Sequence, residues 1–109
     1  MTYFVRHALG GTEADVGFER FPDLILAAER APEGFRSVAI VHAETQWCLT
    51  IALDGWVYFE NLDDHALRPR HLYGLRPPEV LRLMELVAQG KIASVNEWPW
   101  RPGYGSPTD

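Results

Sequence analysis

Over residues 45–62 the apolar pattern is that of β-strands, two β-branched and aromatic runs flanking Asp54-Gly55. Asp tolerates positive φ and Gly adopts it freely, so an Asp-Gly pair between such runs predicts a β-hairpin with a two-residue turn. That turn sets Leu53 opposite Trp56, Ile51 opposite Tyr58, Leu49 opposite Glu60 and Trp47 opposite Leu62. One face is then large and apolar. The other carries Cys48, Thr50, Ala52, Val57, Phe59 and Asn61, mixed but hardly polar. A hairpin apolar on both faces needs cover twice: helices for one side, and another segment or another protein for the second.

The rest of the pattern supplies those helices. Residues 2–7 read as a short first strand and 8–17 as an acidic, glycine-containing loop with Glu13 and Asp15. Pro22 suits a first helical position, Asp23 follows where the helix dipole favours an acid, and apolar helix formers run to Ala31. Val38-Ala39-Ile40-Val41 has the look of a buried strand, within 35–42. Residues 63–71 are polar and aperiodic and read as a loop. After Pro77-Pro78, Val80, Leu83, Met84 and Val87 recur at helical spacing, and Gly90 can close that helix. Residues 92–95 are expected to form a last short strand, and 99–109 a Pro/Gly/aromatic tail. The order β-α-β-β-β-α-β predicts one α+β domain spanning 1–109. It consists of an antiparallel sheet, with a three-stranded meander centred on the 45–62 hairpin plus short terminal strands, packed by two helices.

Composition narrows the class without naming it. A chain of 109 residues with 47% hydrophobic and 23% charged content can bury a core without metals or disulfides. Cys48 is the single cysteine, which rules out an internal disulfide and fits a reducing compartment. The N-terminus lacks a basic segment followed by an apolar one, and no apolar run reaches spanning length, so a cytoplasmic location and no membrane partner are expected. Residues 1–64 hold 11 Asp/Glu against 4 Arg, net −7, and residues 65–109 hold 4 against 6 Arg/Lys, net +2. Nucleic-acid binding needs clustered Lys and Arg, so the acidic half favours a basic protein partner instead.

Candidate chemistry is thin. His42-Ala43-Glu44 has the H-x-E form of zinc deaminases, but that site also needs a Cys pair that a one-cysteine chain lacks. A strand-end histidine bonded to a loop is the simpler reading. Asp63-Asp64-His65 offers ligand atoms, but adjacent residues do not converge on one ion without others, and a solvated acidic turn suffices. Cys48 at mid-strand reads as a small buried hydrophobe. No nucleophile elbow, phosphate-binding loop or dinucleotide fingerprint is present, and fifteen acids with nothing to single out two support no acid–base pair. The expectation is no catalytic residue, no cofactor and no metal.

The aromatic residues carry more. Trp47 and Trp56, on the large hairpin face, read as core. Trp98, Trp100 and Tyr104 stand in the Pro-broken C-terminal segment, where they either dock back on the open sheet face or meet a partner. Glu60, Asp63 and Asp64 adjoin the hairpin. Acid beside aromatic is what a binding face for a basic cleft looks like.

These residues resemble the small immunity proteins that bacteria encode beside polymorphic toxins of contact-dependent and type VI secretion. The likeness lies chiefly in the second half: Trp47 and the Trp56-Val57-Tyr58-Phe59 strand, the helix ending Leu86-Val87-Ala88-Gln89-Gly90, then Val95-Asn96-Glu97-Trp98. Several immunity families end in a similar helix, glycine, short strand and tryptophan. The resemblance implies a non-enzymatic inhibitor that binds a cognate toxin domain and occludes its active site or a basic substrate cleft. Glu60, Asp63 and Asp64, and secondarily Glu13 and Asp15, would steer the encounter, and Trp98, Trp100 and Tyr104 would anchor it. Two other classes stay open: a non-catalytic adaptor or accessory subunit using the same surface, and a small-ligand-binding domain in which His42, His65, His71 and Cys48 would converge.

Overall fold

In the computed structural model, which describes residues 2–8, 10–32, 36–52 and 55–104, the elements follow the chain as β1 (Tyr3–Arg6), β2 (Thr12–Ala14), a 3-10 turn (Phe18–Arg20), α1 (Phe21–Arg30), β3 (Ser37–His42), β4 (Trp47–Ala52), β5 (Val57–Asn61), β6 (Arg70–Leu72), α2 (Pro77–Ala88), α3 (Ile92–Asn96) and β7 (Arg101–Pro102). The seven strands form one antiparallel sheet in the order β2-β1-β3-β4-β5-β6-β7, so the fold is α+β.

The strands beyond the hairpin come from stretches that lack alternation. Gly10 and Gly11, at φ +96° and +84°, turn the chain so that Thr12–Ala14 returns along β1 inside the stretch expected to be a loop. Asp15 fixes that return, its carboxylate accepting the backbone N–H groups of Thr2 and Tyr3 at 2.9 and 3.2 Å. Arg70–Leu72 likewise adds a strand to the edge of β5 at the end of the expected 63–71 loop. Residues 92–95 form helix, not strand. Ile92 and Val95, three apart, share one helical side, and Val95 is fully buried there, whereas a strand would have turned them to opposite faces.

The main correction concerns the hairpin register. Ile51 pairs with Val57, Leu49 with Phe59 and Trp47 with Asn61, one residue away from the pairing expected of a two-residue turn. The Ala52 N–H donates to the Trp56 carbonyl at 2.9 Å, so the connection spans residues 53–55. Gly55 takes the left-handed conformation at φ +80°; Leu53 and Asp54, the first half of the expected turn, lie outside the described residues. Because strand side chains alternate, this slip moves every β5 residue to the opposite face.

The helices cover one face. Val5, Ile40, Leu49, Val57 and Phe59 project toward it and are fully buried with Leu83, Met84, Val87 and Val95 of the helices. Each such side chain contributes roughly 1.5–3 kcal/mol of transfer free energy. Trp47 stacks on Phe59 at 4.6 Å between ring centres, as the core reading of Trp47 requires. α2 begins at Pro77-Pro78, with Glu79 accepting the Arg76 N–H at 3.0 Å, and presents Val80, Leu83, Met84 and Val87 inward. It ends in the glycine-closed motif, the Gly90 and Lys91 N–H groups donating to Val87 and Leu86 carbonyls at 2.9 Å. Gly90 is required twice: φ is +73°, and a Cβ there would lie 2.6 Å from His42 Nε2.

Candidate binding face of the sheet

The face opposite the helices is built from Phe4 and Arg6 of β1, Ala39 and Val41 of β3, Cys48 and Thr50 of β4, Tyr58 and Glu60 of β5, and His71 of β6. Ala39, Val41 and Cys48 form a small buried cluster flanked by Phe4 and Leu62, with no helical residue in it. These short side chains leave the surface shallow. On their β5 side it rises into a row of aromatic rings: Tyr104 lies 5.5 Å from Tyr58, Tyr58 6.3 Å from Trp56, and Trp56 4.3 Å from Tyr73. Tyr73 and Tyr104 are 62% and 48% exposed and Trp56 and Tyr58 half-buried, and none of the four packs against the helix-side core as Trp47 and Trp100 do. Trp56 thus belongs to this row, contrary to the expectation of a core residue.

Charge is distributed unevenly along the row. At one end Glu60 accepts a hydrogen bond from the Tyr104 hydroxyl at 2.9 Å, which raises the phenol's pKa above its ordinary value. Asp63 and Asp64 follow in an exposed turn, which Asn61 ties down by accepting both their backbone N–H groups at 2.9 and 3.0 Å. At the other end Trp56, His71, Tyr73 and Arg101 border a groove of about 560 Å³ with Leu72, Leu75 and Pro99. His71 is oriented there by a 2.9 Å hydrogen bond between Nδ1 and the Gly103 carbonyl.

The eight residues singled out from the sequence fall in three places. Glu60 and Tyr104 meet on this face, with Asp63 and Asp64 in the adjoining turn. Trp98 and Trp100 instead pack against the helix-side core; Trp100 stacks on Phe59 at 5.2 Å and its indole N–H donates to the Val95 carbonyl at 2.7 Å. Glu13 and Asp15 lie at the far edge of the sheet. Glu13 is paired with Arg20 and His7, the Arg20 hydrogen bond holding its carboxyl below the usual range; Asp15 is similarly lowered by the two backbone N–H groups it accepts.

The groups that a ligand pocket would have needed do not converge. His42 points into the helix side, Nδ1 at 2.8 Å from the Thr45 hydroxyl, as a strand-end histidine bonded to a loop. Cys48 and His71 belong to the opposite face, and His65 is exposed in the 63–69 turn. Burial pushes the Cys48 thiol up, away from the thiolate a nucleophile needs. Among the described residues no three His, Cys, Asp or Glu side chains group as metal ligands, and no helix is long and apolar enough to cross a membrane.

Tyr58 and Tyr73 had no part in the sequence-based site. The signal for Tyr58 was available in the choice of register: pairing Leu49 with Phe59 and Ile51 with Val57 collects aliphatic and aromatic groups on one face and polar-tipped Thr50, Tyr58 and Glu60 on the other. No protein-family model, curated protein or solved structure matches the chain.

Proposed function

We propose that this chain is a non-enzymatic binding protein that neutralises a cognate secreted bacterial toxin, and that it engages the toxin through the sheet face opposite the helices. The observation that carries the reading is the aromatic row Trp56, Tyr58, Tyr73 and Tyr104, exposed or half-buried beside Glu60, Asp63 and Asp64. Large rings, Tyr58 on β5 and the other three just beyond strand ends, present apolar area with few rotors to immobilise, the property that makes Tyr and Trp common interface anchors. The acidic end supplies the complementarity to a basic substrate cleft, raising the rate of encounter more than the final affinity. Tyr104 and Glu60 remain in the anchor and steering roles expected of them. Trp56, Tyr58 and Tyr73 take the anchoring places of Trp98 and Trp100, whose inner surfaces the core already occupies.

The test is co-expression of the tagged chain with the product of the gene immediately upstream. The reading predicts a stoichiometric complex with a protein that kills cells when expressed alone, and rescue of growth by this chain. Truncating Tyr58 or Trp56 to Ala should cost the complex about 2 kcal/mol or more, the range of interface anchors. A harmless neighbour and a chain that purifies alone would remove the toxin assignment. An adaptor role on the same face would then be examined by capture of other partners.

A further inference from the structure

A second feature lies on the helix side of the sheet, at the mouth of the core, and the proposed binding face makes no use of it. Arg70 of β6 is held against three rings, its guanidinium carbon 5.8 Å from the centre of Trp47, 5.4 Å from Phe59 and 5.9 Å from Trp100. Its Nη2 donates to Asn96 Oδ1 at 2.6 Å, the one hydrogen bond this side chain makes among the described residues, out of five N–H donors. Burial alone lowers its pKa, meaning that the charge has lost water without gaining an acid. The ion pairs among the described residues are His7 and Arg20 with Glu13, so no carboxylate oxygen there lies within 4 Å of Arg70 or Arg68.

Arg68 and Arg70, two residues apart across Pro69, border the same groove of about 420 Å³, together with Trp47, Ala66, Leu67 and Asn96. Asp63, Asp64 and Glu97 are near in sequence but do not line it. Two guanidiniums that border one open groove favour an anion there, and the rings packed against Arg70 fix the fork of one in advance. Leu67, 45% exposed, and the Trp47 ring add apolar surface beside the cations.

We propose that this groove binds an oxyanion, phosphate or carboxylate, carried on a flat or apolar body: the Arg70 fork takes two oxygens, Arg68 neutralises the remaining charge, and the body rests on Trp47 and Leu67. The site is independent of the toxin-binding face, and either can fail without the other.

The test uses the intact ¹⁵N-labelled protein and titration with phenyl phosphate, inorganic phosphate and benzoate, with sodium chloride as the ionic-strength control. Saturable shifts of the Trp47 indole and Arg70 Nε resonances are expected, with phenyl phosphate binding about tenfold more tightly than inorganic phosphate because of the apolar contact. Arg68→Gln, at an exposed position that leaves the clamp intact, should weaken binding by about three- to tenfold, and Arg70→Lys, which keeps the charge but loses the fork, by about tenfold. The Trp100 indole resonance reports whether the core is unchanged in each variant. Shifts that chloride reproduces at equal ionic strength, absence of saturation at millimolar ligand, or unchanged affinity in Arg68→Gln and Arg70→Lys would each overturn the proposal.

Discussion

Phe59 and Tyr58 are neighbours in one strand, yet they belong to opposite worlds. Phe59 is fully buried, stacked between Trp47 and Trp100 under an arginine; Tyr58 stands half-buried between Tyr104 and Trp56 on the face without helices. Across the sheet, the inner helix-side positions are Val, Ile, Leu and Phe, with Tyr3, His42, Trp47 and Arg70 at strand ends, while the opposite face is small in the middle and aromatic with polar tips at one side. Polar-tipped rings stand on both faces, but Tyr3 and His42 are buried and Trp47 and Trp100 pack on the helix-side core, whereas Tyr73 and Tyr104 on the other face stay exposed. On the proposed reading, that exposure separates the part of the sheet that holds the molecule together from the part offered to a partner.

Substitution at the two neighbours should break this comparison most sharply if it is wrong. Phe59→Ala empties a site closed on all sides and is expected to cost about 3–5 kcal/mol. Tyr58→Ala should cost about 1 kcal/mol or less in the free protein, its larger effect appearing only with a partner. Urea denaturation of the two variants decides this, and equal losses would mean that both faces are core. Next in size, Gly90→Ala forces a side chain into positive φ and against His42, and about 1–3 kcal/mol of stability should go with it in the same assay. Trp100→Ala should lose about 2 kcal/mol from its stacking on Phe59 and its bond to Val95, whereas Tyr104→Ala should stay within about 0.5 kcal/mol.

Smaller effects sharpen the picture at the margins. The Asp15 carboxyl is lowered in the folded state by the N–H groups of Thr2 and Tyr3, so its contribution is fully present above the unfolded carboxyl value of about 4 and is lost as pH falls through the folded one. Melting temperatures followed from neutral to acid pH should therefore decline less steeply in Asp15→Ala than in the parent. Cys48 is buried with Ala39 and Val41, beside Thr50, rather than in reach of solvent, and its raised thiol should react with a disulfide reagent at mildly alkaline pH only as fast as the protein opens. Rapid labelling of the native protein would show that the small cluster on the open face is not closed.

How much of this could be read in advance varied with the kind of signal. The periodic segments were legible: α1 and α2 appear where Pro22 and Pro77-Pro78 start them, and the α+β class follows from their order with the strands. The hairpin existed as expected, but the faces of β5 were exchanged relative to β4, because one residue of turn length decides which set of its side chains is buried and local alternation was satisfied either way. β2, β6 and β7 are two or three residues long and exist by pairing with a neighbour, a non-local interaction that no window of sequence contains. Trp98 and Trp100 stood in a segment with little regular structure of its own, so whether they turned inward depended on the gap left beside Phe59. Glu60 and Tyr104, 44 residues apart, met only because β7 returns beside β6.

The most direct test of the central claim compares the quadruple variant Trp56→Ala, Tyr58→Ala, Tyr73→Ala, Tyr104→Ala with the parent in two assays: thermal melting of the free protein and retention of the co-expressed toxin. If the face opposite the helices is the binding face, the variant melts within several degrees of the parent and retains no toxin. A variant that holds the toxin as well as the parent, or that loses its fold outright, would contradict the division of the sheet into a face for stability and a face for recognition.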